Sequence, residues 1–295
     1  MKQLGIFILA VLSLVISLKT TAEETTKTEL SNPKCHLNPK FSYVSLSAPM
    51  TALLQEFKLF NDPSLKAISS FNNLLSTSFK GEVLGGGIFI SQKVMTKYKK
   101  AIWLYDDSHQ LSRLLKKGEI NKTVSIKSRG KDSLQVYKIS MAKLSPYLIN
   151  CEAAATKLNQ WVSGVISKLK KIPSSSKVWL FYLNALPRNG KKPGILMVND
   201  GWPKLLARFN KIKTYPSSLA YVSWSQRIVN ELTSKSVVMH VGLANFNASK
   251  GETFKWQNLQ ESQVNIYSSL QMLPGLFQIK FIDNMLRSEQ FLSSL

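Results

Sequence analysis

The sequence predicts an α/β protein of two lobes, each on a mainly parallel sheet, joined by one long α-helix. Three observations carry this expectation. Strand-like and helical runs alternate from Phe41 onward, which argues for parallel sheets with helices on their faces. A single helical period then holds from Glu152 to Lys170. After Pro173 the alternation restarts, and a short echo links the halves. "FISQKV" at Phe89–Val94 and "SWSQRI" at Ser223–Ile228 both read Ser-Gln-basic-aliphatic, with their glutamines 134 positions apart.

The N-terminus decides which residues fold. Lys2 supplies a positive start, Leu4–Leu18 is apolar apart from serines and a glycine, and Thr20 and Ala22 are small. That is the layout of a secretory signal cut after Ala22. The run is short for a membrane span of about 20 residues, a retained anchor being the alternative. Residues 1–22 are therefore read as a signal peptide and 23–37 as a flexible polar leader. The N-terminal lobe is placed at 38–148, the connecting helix at 149–173 and the C-terminal lobe at 174–295. No stable membrane insertion is expected of the mature chain.

Within the first lobe, Phe41–Leu46 is rich in strand formers, and Ser47-Ala48-Pro49 is a turn whose serine can cap a helix. Met50, Leu53, Leu54 and Phe57 recur at helical spacing behind it. "LKAISS" reads as a strand, "GEVLGGGIF" as a glycine-rich loop, Gln92–Tyr98 as a short helix and "AIWLYD" as a buried strand. A helix at Ser108–Lys117 and strands at Val124–Ile126 and Gln135–Ile139 complete the lobe. From Glu152, residues Ala155, Leu158, Trp161, Val162, Val165, Ile166 and Leu169 form one apolar stripe. The second lobe follows with strands "KVWLFYL" and "GILMVN", a helix in "GWPKLLARFN", the segment "SLAYVSW" before the second Ser-Gln turn, and a strand "SVVMHV".

Composition narrows the partners. The formal charge is +22, about +20 once Lys2 and Lys19 leave with the signal, and lysine dominates it. Such a field favours anionic partners. The lysines are dispersed, with no recognition-helix pattern and no basic run interleaved with aromatics, so nucleic acid is not expected. Cys35 and Cys151 are the only cysteines. Export puts them where disulfides persist. Cys35 precedes the first strand and Cys151 opens the long helix, so a disulfide between them is expected, two buried thiols being the alternative.

The order of these segments resembles the helical-backbone class of periplasmic substrate-binding proteins that serve ABC importers of iron–siderophores, haem and cobalamin. "YVSLSAPMTALLQEF" is similar to that family's opening strand, serine turn and helix. "LGGGIFISQKVMTKYKKAIWLYD" looks like its Gly-Gly loop, short helix and following strand, and "YPSSLAYVSWSQRIVNEL" like its second-lobe helix entry. "FKWQNLQESQVNIYSSLQMLPGLFQIKFIDNML" is similar to its C-terminal Trp, strand, Pro-Gly and last helix. The resemblance implies two Rossmann-like lobes, a ligand held in the cleft between them and, as partner, an ABC permease. A monomer is expected, with no resident cofactor, since the ligand can itself be a metal chelate.

The family's lobes each dock on permease arginines through a glutamate at the start of the short helix. The resemblance carries those positions onto Gln92 and Gln226, where the charge is absent. Charged hydrogen bonds are worth about 1.5–3 kcal/mol and neutral ones about 0.5–1.5. An importer with a changed docking surface, or a binding or sensory module with no importer, are the two readings that remain.

Loops at strand ends supply the candidate ligand contacts. These are Ser47, Pro49, Gly86, Trp103 and Tyr105 (beside Asp106) from the first half, and Tyr182, Arg188, Trp202, Tyr215 and Trp224 from the second. Aromatics give contact area, and arginine grips carboxylates or catecholates. His36, His109 and His240 lie far apart without metal-ligand spacing, so no metal site is expected. Gly-x-Ser-x-Gly and His-Glu-x-x-His are absent. Asp106-Asp107 near His109 reads more simply as a solvated helix cap than as proton chemistry, so no enzyme is expected.

Overall fold

The computed structural model describes residues 34–69, 79–84, 90–106, 120, 122–184, 194–197, 199–214, 221–223, 236–242, 263–267 and 274–294. β1 (His36–Leu37) pairs antiparallel with β7 (Leu148–Ile149). Cys35, immediately before β1, forms a disulfide with Cys151. The chain therefore joins the fold at Cys35, inside the segment expected to be a flexible leader.

The first sheet has the order β4-β3-β2-β5-β6, and every pair in it is parallel. Its strands are β2 (Tyr43–Ser45), β3 (Leu65–Ser69), β4 (Glu82–Leu84), β5 (Ile102–Asp106) and β6 (Lys122–Ile126). Parallel strands need crossovers, and helices supply them. α1 (Ala48–Glu56) follows β2, with Ser47 as N-cap and Pro49 in its first turn. α2 (Gln92–Lys97) precedes β5 and is capped by Ser91.

Two sequence expectations need correction here. The stretch taken as a glycine-rich loop contributes Glu82–Leu84 to the sheet as β4. Gln135–Ile139, expected as a strand, lies inside α3 (Ser133–Leu144). Capping overrides strand propensity there. Asp132 accepts the N–H of Gln135, and the Gln135 side chain accepts the N–H of Asp132, satisfying two end donors reciprocally. The buried residues Val136, Tyr137, Ser140 and Leu144 then recur at helical spacing. The helix expected at 108–117 lies outside the described residues.

α4 (Glu152–Lys171) is one continuous helix of 20 residues. Leu158, Val162, Val165, Ile166 and Leu169 are its buried stripe, and each such side chain is worth roughly 1.5–3 kcal/mol when fully buried. Its C-terminal carbonyls receive a cation. The ammonium of the buried Lys211 donates to Lys170 O at 2.8 Å and Ile172 O at 2.6 Å, where the helix dipole favours positive charge.

The second sheet is mixed. β8 (Val178–Asn184) is flanked in parallel by β12 (Ser236–Gly242), which pairs in parallel with β13 (Gln263–Tyr267). On the other side β9 (Gly194–Met197) runs antiparallel to β8, and β11 (Tyr221–Ser223) antiparallel to β9. β10 (Lys213–Thr214) pairs in parallel with the start of β8. α5 (Gly201–Arg208) lies between β9 and β10, and α6 (Leu276–Met285) and α7 (Glu289–Ser294) end the chain.

The core does not stop at the boundary between halves. α6, from the C-terminal end, packs on α1 and α3 of the first half as well as on α4 and α5. Ile279, Phe281, Ile282 and Met285 of α6 share one buried cluster with Leu53, Leu54, Val136, Leu206 and Trp202. Accordingly, Cys35–Leu295 form a single compact unit. A second cluster of Val44, Leu46, Leu84, Met95 and Trp103 covers the other face of the first sheet.

Candidate functional site

Ligands of open parallel sheets sit beyond the carboxyl ends of the strands. In the first sheet those ends carry small polar residues. Ser45 closes β2, Ser69 closes β3, Asp106 closes β5, and Ser128 follows β6; all four are buried. The first turn is locked from within. Ser45 Oγ and Thr51 Oγ1 lie 2.7 Å apart, and Thr51 donates its hydroxyl to Ser47 O at 2.8 Å. The Ser47 hydroxyl accepts from Met50 N. A turn held this way presents its backbone in one geometry at the carboxyl end of β2.

Next to this edge the halves are joined by a polar seam. Asp200, the N-cap of α5, accepts through Oδ1 from the N–H of Gly201 and from the N–H of Gly130 in the loop after β6, each at 3.0 Å. Gly201 N also donates to Lys131 O at 2.9 Å. Lys204 Nζ donates to Gly130 O at 2.7 Å, and Arg208 pairs with the buried carboxylate of Asp132 at 2.9 Å. Ser133 Oγ donates to Gln278 Oε1 of α6 at 2.7 Å. Gly201 is required where it stands: its φ is +53°, and a Cβ would fall 2.6 Å from Gln278 Oε1.

The sequence-derived contacts divide sharply against this frame. Trp103 is a core residue and not a ligand contact, because its ring is fully buried and its indole N–H is used on Tyr98 O at 3.0 Å. Trp202 is likewise core, packed 5.0 Å from the Phe281 ring on α6. Ser47 and Pro49 stand on the expected turn, but both are buried, and the serine is committed to capping. Tyr105 is half-buried near the end of β5 and packs against the second cluster. Tyr182 is in β8, and only its strand placement is described. Gly86, Arg188, Tyr215, Trp224 and Gln226 lie outside the described residues. Gln92 is the exposed first residue of α2.

The sequence reading missed Asp200, Asp132 and Gln278. A signal existed for the two acids, since each precedes a helix in N-cap position; nothing local marks Gln278. Elsewhere on the described surface, two grooves flank α4. One, of about 530 Å³, is lined by Glu56, Trp161, Lys157, Lys280 and Asn284, and an ion pair between Lys280 and Glu56 at 2.5 Å crosses it. The other, of about 430 Å³, is lined by Tyr137, Asn159, Val162, Lys170 and Phe209, and the Tyr137 hydroxyl donates to Asn159 Oδ1 at 2.7 Å. Burial, and secondarily the Glu56 charge, pushes the Tyr137 phenol up to about 12. Both grooves follow the strut and not the strand ends. Among the described residues, no three His, Cys, Asp or Glu side chains converge to hold a metal ion, and no helix is long and apolar enough to cross a membrane.

Compared with protein-family models and with curated protein sequences, the chain matches neither. Its fold, however, is shared with solved structures across nearly their whole length. The periplasmic heme-binding protein BhuT, in complex with two hemes, superposes with a TM-score of 0.65 at 10% identity, over 86% of this chain and 98% of that one. The periplasmic vitamin B12 binding protein BtuF of Vibrio cholerae gives 0.64 at 14% identity, over 85% and 96%. The siderophore-binding protein FhuD of the same organism, bound to Fe3+-Desferal, gives 0.61 at 12%, over 85% and 98%.

Proposed function

We propose that this two-lobed chain, with the fold of periplasmic haem-, siderophore- and B12-binding proteins, is an exported solute-binding protein. It captures an iron–siderophore, haem or corrinoid ligand between its lobes and delivers it to an ABC importer. The single observation behind this reading is the architecture: two α/β sheets joined by the strut α4, shared with proteins whose solved structures hold hemes or a ferric siderophore. Residues 1–22 act as the export signal, and the mature chain works as a monomer in the periplasm. The metal, where there is one, arrives with the ligand, and the chain performs no chemistry on it. Tyr105, Tyr182, Arg188, Tyr215, Trp224 and the backbone at Gly86 contact the ligand, and the basic charge favours an anionic one.

A second reading is favoured by one specific feature. Gln92 is exposed at the start of α2 beside Lys93, with Lys97 at the other end of the helix. A neutral amide among lysines is poorly matched to arginine pockets, which suits a binding or sensory module uncoupled from an importer.

Titration of the full chain with ferric siderophores, haem and corrinoids, followed by tryptophan fluorescence and ligand absorbance, tests the proposal. Saturable one-to-one binding of one class is expected, weakening as salt rises. Failure of all three classes to saturate would end it. The double change Gln92→Glu with Gln226→Glu should strengthen docking to an ordinary siderophore permease and leave ligand affinity unchanged. An altered ligand affinity would instead move these glutamines into the cleft.

A further inference from the structure

The amino ends of the five parallel strands of the first sheet form one end of the molecule, opposite the carboxyl ends described above. Lysines crowd that end. Lys40 precedes β2, Lys66 is the second residue of β3, Lys99 and Lys100 precede β5, and Lys122 opens β6. α1 returns to the same end, and Lys58 lies two residues beyond it. All six side chains are exposed. Two of them are steered by the fold: Lys66 Nζ donates to Pro63 O at 2.6 Å, and Lys122 Nζ lies 4.3 Å from the Phe41 ring centroid.

The carboxylates described at this end do not balance them. Asp62 accepts the backbone N–H groups of Leu37 and Ser64, each at 2.8 Å. Glu82 is bound by Lys97 and by the Tyr98 hydroxyl, and those bonds hold its carboxyl below the usual range. Glu56, the last residue of α1, is paired with Lys280. The topology has therefore collected an excess of positive charge on one surface, although the lysines are scattered in sequence.

We propose that this lysine-covered end binds an anionic phospholipid surface. The residue type argues for lipid over nucleic acid. Lysine is a hydrated point charge on a flexible stem, suited to a diffuse layer of headgroup phosphates, whereas bidentate phosphate recognition uses arginine. This surface is separate from the ligand site and stands or falls independently of it.

Sedimentation of the full chain with vesicles of phosphatidylcholine, with and without phosphatidylglycerol, tests the proposal. The readout is the ratio of partitioning on anionic to neutral vesicles, in which any contribution of the apolar run cancels. The triple variant Lys99→Glu, Lys100→Glu, Lys122→Glu should lower that ratio about tenfold or more, because each lysine near the surface contributes on its own. A control with the same net charge, Lys138→Glu, Lys157→Glu, Lys171→Glu, should lower it less than about threefold, since charges beyond a Debye length are screened. If the glutamate triple unfolds, the Lys→Gln triple at the same positions replaces it. An equal fall in both variants, a wild-type ratio of one, or tighter binding to duplex DNA than to anionic vesicles at the same salt would each overturn the proposal.

Discussion

Asp200 Oδ1 accepts the backbone N–H of Gly130 at 3.0 Å, across 70 positions of chain. It joins the loop after β6 to the first turn of α5, and the buried carboxylate accepts Gly201 N–H as well. Hydrogen bonds to a charged acceptor are worth about 1.5–3 kcal/mol each, and unpaired buried donors add a penalty. Asp200→Ala is expected to destabilise the protein by about 2–4 kcal/mol in urea unfolding. Asp200→Asn, which keeps an acceptor, should cost less. Equal losses for the two variants would remove the carboxylate from its role in the seam.

Gly201 tests the same seam through backbone geometry. Its positive φ is costly for any residue with a Cβ, by roughly 1–2 kcal/mol, and that Cβ would also displace the Gln278 amide from Ser133. Gly201→Ala should therefore lose about 2–3 kcal/mol, whereas Gly164→Ala, which meets nothing within 4 Å, should gain up to about 1 kcal/mol from helix propensity. Calorimetry of the pair would show the contrast, and two variants melting together would refute it.

The disulfide ties the entry of the chain to the start of α4. It closes a loop of 116 positions, and such bridges typically contribute about 2–4 kcal/mol. Cys35→Ser with Cys151→Ser should lower the unfolding free energy by that amount, moving the denaturation midpoint down in proportion. Mass measurement of the unreduced wild-type protein should show no free thiol.

Alkaline pH should weaken the packing of α3 on α4. The Tyr137 phenol is pushed up to about 12 in the folded protein, against 10.0 when free, and burial also raises Tyr43. A pKa raised by folding means stability that is complete below pH 10 and lost as pH rises through the folded value. For Tyr137 alone two units correspond to about 2–3 kcal/mol. Urea midpoints should be flat up to about pH 10 and then fall, and Tyr137→Phe should flatten part of that fall. An unchanged slope in this variant would assign the alkaline loss elsewhere.

What the sequence determined by itself was local. The Ser47-Ala48-Pro49 cap announced α1, and the 3.6-residue period from Glu152 announced α4, because capping groups and apolar stripes act within a few turns. The alternation of strand and helix likewise placed the class of the fold. Tertiary structure decided where each side chain ends up. Trp103 and Trp202 look like ligand aromatics in a linear reading, yet both are buried, since burial depends on which helices close over a sheet. α6 reaches back to pack on α1 and α3, and Asp200 meets Gly130, contacts that only the folded arrangement makes. The lysines of the basic end are dispersed along the chain and adjacent in space, since parallel pairing brings five strand starts to one edge. Contacts between residues dozens of positions apart leave no periodic trace in the chain, and so the fold class was legible in the sequence while the seam and the basic surface were not.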